Sequence, residues 1–593
     1  MYERNHELLD IKIRQYLLPA IMMKLALQLG NVVDTMLVGN ILGKEAMSAV
    51  GITIPVLSMI QIPALFLGNG GATYAGILLG RRQKQEANEV FTISFIFTTL
   101  CTLLFSVSAV FITTPMAHLL SGGSSLEADV ASCVFIDLTF APIMCIGIFF
   151  ARFLSADSHP QLTSAYYIVS NILNLILDFI FLKFTKLGVK GSSLSTALGF
   201  SFGLVVMFFY AKSPKRMLSF TRLKPSAEIL KNIFSTGAPH LSYICSTMLT
   251  GFLLNRIILS LLQENGIVIY TICNNMNFIL KMLIGGIIES IPYIISILYG
   301  EGDYFGIHAV VKKTIGYAIP VTALLITFIL LFPNAITLMF GIHEPDIQNI
   351  VMMVLRIYAL AIPFKLWNYF GMQYYGAVEK SPLATLTSTL GNGIVLIPVM
   401  FFSIMIDKVN RGNGYIGLAV AFVVSEIITV LSFLIYKKTK YPGEPLLLIP
   451  DKNEEICLDF TIHSRVMDAV GVAEEIQHFC EEHGVSAGSA NMVAIAAEEM
   501  AVNIAKYGGT ISEWIDVCLL IKHASKEPDS TQRSSMILRL RDNGVAFDPT
   551  TYEYDTTGID YEIHGIKMVQ SVASEITYVR AMDLNNTTVT IDI

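Results

Sequence analysis

Twelve stretches of roughly 20 or more mostly apolar residues run through this chain, and a segment of that length and character crosses the hydrocarbon core of a bilayer as a helix. Their approximate spans are 15–40, 50–80, 90–114, 130–155, 161–184, 191–211, 234–262, 266–298, 312–332, 347–376, 382–406 and 415–436. Six precede residue 213 and six follow 233. With 53% hydrophobic and only 15% charged residues among 593, the chain is excluded from the collagen-like, disordered and secreted disulfide-rich classes. The amino terminus is charged before its first apolar run and offers no small-residue cleavage site, so that run reads as a retained helix.

Charge divides the chain. Lysine and arginine total 40 against 47 aspartate and glutamate, a net charge of −7. Residues 451–593 hold 10 basic and 24 acidic residues, about −14, which leaves about +7 on residues 1–450. Two differently composed modules are therefore fused. We divide them into an N-terminal six-helix lobe (1–213), an inter-lobe linker (214–233), a C-terminal six-helix lobe (234–440), a second linker (441–454) and a small domain (455–593). Arg4, Lys12, Arg14, Arg81, Arg82, Lys84, the basic residues between 212 and 231, and Lys437, Lys438 and Lys440 fall on one side if the number of spans is even. The excess of basic residues in short cytoplasmic loops makes that side the cytoplasm, against the weaker contrary signal of Lys183, Lys186 and Lys190. The expectation is a multi-pass protein of the cytoplasmic (inner) membrane, in contact with lipid, with both termini and the acidic domain inside and no nucleic-acid partner. The eight cysteines show no C-x-x-C pair and no His at ligand spacing, so no zinc site or disulfide framework is implied.

The halves repeat at an offset of about 220 residues: Pro19 aligns with Pro239, Gly43 with Gly266, Pro142 with Pro363, Pro160 with Pro382, and Gly191 lies close to Gly417. Six helices is an even number, so both copies enter from the same side. The expected fold is two six-helix bundles in a parallel repeat, related by an axis along the membrane normal and able to rock about a central cavity.

A carboxylate in the centre of a membrane helix costs about 2.5–3.5 kcal/mol on insertion scales, so it needs a partner, water or a function. Asp34 lies in the first span. Asn174 and Asp178, in SNILNLILDFIFL of the fifth, are spaced i, i+4 and share a face, and Thr196 in the sixth supplies a hydroxyl. Two carboxylates, an amide oxygen and a hydroxyl form an all-oxygen set for Na⁺, while either aspartate is equally suited to carry a proton. The plainer alternative is that each group only bonds a neighbouring helix. In the second half Lys281, Glu289 and Glu426 are the comparable candidates, and Lys24 stands too far along the first helix to pair with Asp34.

Residues 10–440 resemble the multidrug and toxic compound extrusion (MATE) transporters. The likeness rests on LLPAIMMKLALQLGNVVDTMLVGNILGKEAMSAVGI, NILNLILDFIFLKFTKLGVKGSSLSTAL, GAP at 237–239 and YGEGDY at 299–304. It implies export of small organic, often cationic compounds in exchange for H⁺ or Na⁺, with Asp34, Asn174, Asp178 and Thr196 at the coupling-cation site of the first lobe. No second-lobe cation site matches.

After residue 455 the pattern turns to short strands and amphipathic helices: strand 456–461, helices 465–483 and 487–507, strands near 513–523 and 535–541, helix 565–573, and a terminal hairpin of 575–581 with 587–593. This is an α/β sandwich. In AAEEMAVNIAKYGG, Glu499 and Asn503 are one turn apart, a carboxylate beside an amide oxygen as Mg²⁺ on nucleotide phosphates would use. Asp542 in RDNG ends a strand, followed by Gly544, where it would accept from an adenine amino group; Gly565 opens a helix whose free N–H groups suit phosphate. The segment 550–563 reads as a lid. In this order the residues resemble the histidine-kinase-like (GHKL, Bergerat-fold) ATPases, and within them the anti-sigma-factor serine kinases. The resemblance implies Glu499 as base, Asn503 on Mg²⁺, and Asp542, Gly544 and Gly565 at ATP. Tyr507 in place of a frequent His, and one glycine in HGIKM, favour ATP binding over catalysis. No P-loop occurs.

The sequence thus reads as a cation-coupled exporter with a cytoplasmic ATP-binding regulatory domain, which would face a cytoplasmic protein partner. Two alternatives stay open: a membrane sensor whose tail is a serine kinase or partner-sequestering switch, and a lipid-linked or polymer flippase of related architecture.

Overall fold

A computed structural model describes residues 4–592 except 214–215, 223–225, 341, 343, 451–455, 510–511, 523–533 and 552–563; most of the segment expected to form a lid lies outside the described residues. The first lobe is built from α1 (Glu7–Leu42), α2 (Lys44–Gly80), α3 (Lys84–Ser121), α4 (Glu127–Ala156), α5 (Pro160–Phe184), α6 (Val189–Ser201) and α7 (Gly203–Ala211). The second comprises α8 (Ala227–Glu289), α9 (Ile291–Glu301), α10 (Tyr304–Leu331), α11 (Pro333–Met339), α12 (Pro345–Ala359), α13 (Ile362–Ala377), α14 (Ser381–Thr389), α15 (Leu396–Arg411) and α16 (Tyr415–Lys440).

Each of the twelve expected spans coincides with helix. Among the described residues nine helices are long and apolar enough to cross a membrane, ten if α12 and α13, bent by 46°, form one span. The other two expected spans fall on α1, which carries Lys24 and Asp34, and on α14–α15, which a π turn at Leu390–Ile394 breaks into short pieces. The sixth expected span is also two helices, α6 and α7. Gln263, with φ 57°, interrupts α8 and gives the second half its counterpart of the α1–α2 turn at Gly43.

The lobes have separate cores, and α1 joins them. Leu8, Leu9 and Ile13 pack into the second-lobe core, whereas Met23 and Val38 belong to the first. Pro19, which leaves the Gln15 carbonyl without its helical donor, lies between the two contacts. A seam of small residues on α2 closes the lobes together. A Cβ on Gly70 would stand 2.5 Å from the Ile233 carbonyl oxygen, one on Gly76 2.4 Å from Ser296 Oγ, and one on Gly80 2.2 Å from the Ile297 carbonyl oxygen. Backbones approach this closely in membranes where side chains are absent. Arg81 of the first lobe then pairs with Glu379 of the second at 2.5 Å.

The C-terminal domain is a five-stranded antiparallel sheet of β1 (Ile456–His463), β2 (Trp514–Lys522), β3 (Ser535–Asp542), β4 (Glu575–Ala581) and β5 (Leu584–Asp592), ordered β1-β2-β3-β5-β4. Side chains alternate across the pleat. Leu458, Phe460, Val517, Leu519, Leu538 and Val589 point to one face, where they form a core with α17 (Val466–Val470), α18 (Val472–Glu482) and α19 (Ala487–Tyr507); α20 (His564–Val572) adds Val569. Two boundaries differ from expectation. The helix expected over 465–483 is broken at Gly471 into α17 and α18. The last strand begins at Leu584 rather than 587, because Met582 and Asp583, both with φ near 57°, close a two-residue hairpin turn that pairs Ala581 with Leu584.

The opposite face is polar and lies against the membrane bundle. Register places Asp459, Cys518, Arg539 and Thr588 in one row and Thr461, Asp516, Arg541 and Asn586 in the next. Arg4 reaches Asp303 at 3.1 Å, Asp459 at 3.2 Å and Asp516 at 3.2 Å, and Arg541 binds Asp303 at 2.8 Å and also Glu301. Arg82, in the α2–α3 turn, donates to Thr588. Four acids, Asp303, Glu301, Asp459 and Asp516, thus face Arg4, Arg541, Arg539 and Arg82, so the buried charge balances. Burial acts to raise the Asp303 pKa, but the Arg4 and Arg541 guanidiniums overcome it and hold the carboxyl well below its usual range. Beside this network the β4–β5 turn inserts Val579, Met582 and Leu584 into the second-lobe core.

Candidate functional site

The structure brings the four candidate groups of the first lobe together. Helix α1 lies on α5 because Gly30 has no side chain: a Cβ there would stand 2.1 Å from Asn171 Oδ1. One turn on, Asp34 meets the face of α5 that carries Asn174 and Asp178. Helix α6 approaches through Gly199, where a Cβ would lie 2.7 Å from the Ser170 carbonyl oxygen and 2.9 Å from Asn174 Cβ. Asn174 Nδ2 then donates to Asp178 Oδ2 at 3.1 Å and to Thr196 Oγ1 at 3.3 Å, and Ser195 Oγ donates to Asp178 Oδ1. Asp34 contacts Asp178 and Ser192, and its buried Oδ1 has no hydrogen-bond partner. Two carboxylates in contact cannot both stay charged unless a proton or a cation lies between them. The pair is lined by oxygen donors alone, the donor chemistry of a proton or alkali-cation site.

We expect Gly199→Val to force α5 and α6 apart and destabilise the first lobe by about 1–3 kcal/mol, read as a lowered thermal-unfolding midpoint in detergent; an unchanged midpoint would contradict this packing.

Sequence reasoning missed three features here. Ser195, adjacent to Thr196, holds Asp178 directly. Asp137 on α4 is fully buried beside the Ser193 hydroxyl; it carries the same signal as Asp34, an acid in an apolar helix. The third is long-range. Lys24 of α1 pairs with Glu289 at the end of α8 at 2.6 Å, and Tyr369 donates to the same carboxylate. This pair lines a cavity of about 240 Å³ between the lobes, with Arg152, His240, Lys281 and Asn69 also on its wall. A second cavity, about 260 Å³, lies within the second lobe, where Glu426 accepts from Lys365 and Asn368, each at 2.6 Å. Glu289, Lys281 and Glu426 thus all face cavities.

In the C-terminal domain, Glu499 and Gly565 meet: a Cβ on Gly565 would stand 2.0 Å from Glu499 Oε2. Asn503 follows one turn along α19, on the same side. Asp542 lies on the helix-bearing face of the sheet, where its Oδ1 accepts from Gly544 N at 2.7 Å and Asn585 Nδ2 at 2.9 Å. Burial raises its pKa against those hydrogen bonds. Gly544 packs on the Gly508 carbonyl oxygen at the end of α19, which brings the Asp542 turn to the helix of Glu499 and Asn503. The structure thus gathers Glu499, Gly565, Asp542 and Gly544 around the end of α19.

Residues 19–180 match the MatE family model. The multidrug export protein MepA of Staphylococcus saprophyticus subsp. saprophyticus is 23% identical over 412 residues, covering 68% of this chain and 88% of the relative; MepA of Staphylococcus aureus strain MRSA252 is 23% identical over 417 residues, with the same coverage. A MOP superfamily transporter from Pyrococcus furiosus has the same fold, with a TM-score of 0.66 at 19% identity over 72% of this chain and 96% of that one. A multidrug resistance MATE family transporter in an outward-facing conformation gives 0.65 at 19% identity, over 72% and 95%. The membrane part of this multi-pass chain thus carries a MatE family match over residues 19–180, is similar to multidrug export proteins along most of their length, and shares the fold of the MATE transporter structures.

Proposed function

We propose that the protein is a multidrug efflux transporter that exports small organic compounds in exchange for H⁺ or Na⁺, from the cytoplasmic membrane and with both termini in the cytoplasm. The observation that carries this reading is the Asp34–Asp178 contact, held by Asn174, Ser195 and Thr196 inside one lobe of a two-lobe bundle. A cation there offsets the repulsion of the two carboxylates; its departure forces them to repack, and α1, which runs into both cores, carries that change to the other lobe. The small-residue seam on α2 is the surface about which the lobes would part. The test is dye efflux from proteoliposomes with the Na⁺ gradient and the pH gradient imposed separately: one of the two should drive efflux, and efflux indifferent to both would reject the reading.

For residues 455–593 the proposed role is regulation through bound Mg-ATP in a histidine-kinase-like fold, with Glu499 as the candidate base, Asn503 on Mg²⁺ and Asp542, Gly544 and Gly565 at the nucleotide. What supports it is the back-to-back placement of Asp542 and Arg541: neighbours on β3, they face the candidate nucleotide site and the bundle respectively. Asp542→Asn should weaken Mg-ATP binding by about 10-fold or more, since a charged acceptor to a ligand donor is worth about 1.5–3 kcal/mol. Equilibrium binding of a fluorescent ATP analogue reads this, and a wild-type chain that binds none at millimolar concentration would reject the nucleotide assignment.

A further inference from the structure

The occupant of the central cavity can be argued from the charges on its wall. Lys24, Arg152 and Lys281 are its cationic side chains among the described residues, and Glu289 is its one carboxylate. Glu289 is already engaged by Lys24 at 2.6 Å and by the Tyr369 hydroxyl. Arg152 shares that carboxylate only from a distance, donates to the Tyr293 hydroxyl and lies near Tyr167, and its buried Nε has no hydrogen-bond partner among the described residues. Lys281 Nζ meets no acid among the described residues: it donates to the neutral Tyr243 hydroxyl at 2.8 Å and lies 4.9 Å from that ring's centroid. The adjoining second-lobe cavity does not redress the balance, because Lys281 also lines it and its own carboxylate, Glu426, is taken by Lys365 and Asn368. Across both cavities, among the described residues, four cations face two carboxylates.

Charge uncompensated at membrane depth is costly and calls for a counter-charge. The wall between the basic groups is apolar and aromatic, with Phe278, Tyr293 and Met372, as a ligand with an organic skeleton would need. We propose that the central cavity takes an amphipathic organic anion, its oxyanion group held by Arg152 and Lys281 and its skeleton by the aromatic wall. This deepens the transporter reading and rests on it, and it departs from the cationic cargo that family resemblance alone implies.

The test compares two dyes of one xanthene skeleton and opposite charge, carboxyfluorescein and rhodamine 6G, binding to the purified full-length chain by fluorescence anisotropy. Carboxyfluorescein should bind about 10-fold or more tightly, the equivalent of about 1.4 kcal/mol. Lys281→Glu should reverse that order, and the milder Lys281→Gln should reduce the preference in a variant with no introduced acid. Rhodamine 6G binding as tightly as carboxyfluorescein to the unaltered chain, or a preference unmoved by Lys281→Gln, would overturn the proposal. The same dyes in proteoliposomes separate the two readings. Gradient-driven export of rhodamine 6G with carboxyfluorescein neither bound nor moved would sink the anion site and leave the exporter standing. Tight carboxyfluorescein binding with no gradient-driven export of either dye would sink the exporter and leave the anion site.

Discussion

Asp178→Asn should abolish gradient-driven efflux while leaving the protein folded and in the membrane. The substitution keeps the shape of the side chain and a group able to bond Ser195 and Asn174, so the packing of α5 on α6 survives. What it removes is one of the two negative charges that make the contact with Asp34 depend on a cation. An ionic contact to a carboxylate is worth about 3 kcal/mol, which corresponds to a loss of cation affinity on the order of 100-fold. Asp34→Asn should do the same from the other side. The two together should cost little more than either alone, because both act through one shared site. Dye efflux in vesicles with matched protein levels measures this; normal efflux in either single variant would mean that the pair is structural.

The second large effect is expected at the joint between the domains. Asp303 accepts from Arg4 and Arg541 and also caps α10 by accepting from Gly306 N at 2.9 Å. Asp303→Ala would leave two buried guanidiniums short of their shared partner, and removing one member of a buried ionic group costs about 3–5 kcal/mol. Because the network is the polar half of the contact between sheet and bundle, we expect the cost to appear as release of the C-terminal domain. Hydrogen exchange should then speed up in the edge strand 456–463 and in the 579–584 turn that packs on the bundle, while the central-strand amides of Leu519 and Leu538 stay protected. Asp303→Asn should have a smaller effect. Unchanged exchange in Asp303→Ala would show that the β4–β5 insertion alone holds the domain.

How far the sequence could lead is clear from individual residues. Hydropathy located the nine or ten helices that, among the described residues, are long and apolar enough to cross a membrane, because the bilayer demands continuous apolar runs, but it could not reveal that Gln263 takes a left-handed conformation or that 390–394 widens into a π turn, since both are set by packing. Asp34, Asn174, Asp178 and Thr196 were legible as polar groups in oily helices with helical spacing. Lys24 with Glu289, and Arg4 with Asp303, Asp459 and Asp516, were not: such contacts join residues hundreds of positions apart, and nothing local marks them. The alternation of LRLRD in β3 did announce one polar face, yet only the folded chain shows that this face meets the bundle rather than water.

The most direct test of cation exchange at Asp34 and Asp178 is to follow both partners of the exchange at once. Proteoliposomes would hold a transported dye together with reporters of internal pH and internal Na⁺, and each ion would be followed as the dye leaves. We expect dye export to be matched by a stoichiometric inward flux of one of the two ions, and both fluxes to vanish together in Asp178→Asn. Dye export that proceeds at full rate with neither ion moving, or an ion flux that persists unchanged in Asp178→Asn, would contradict it.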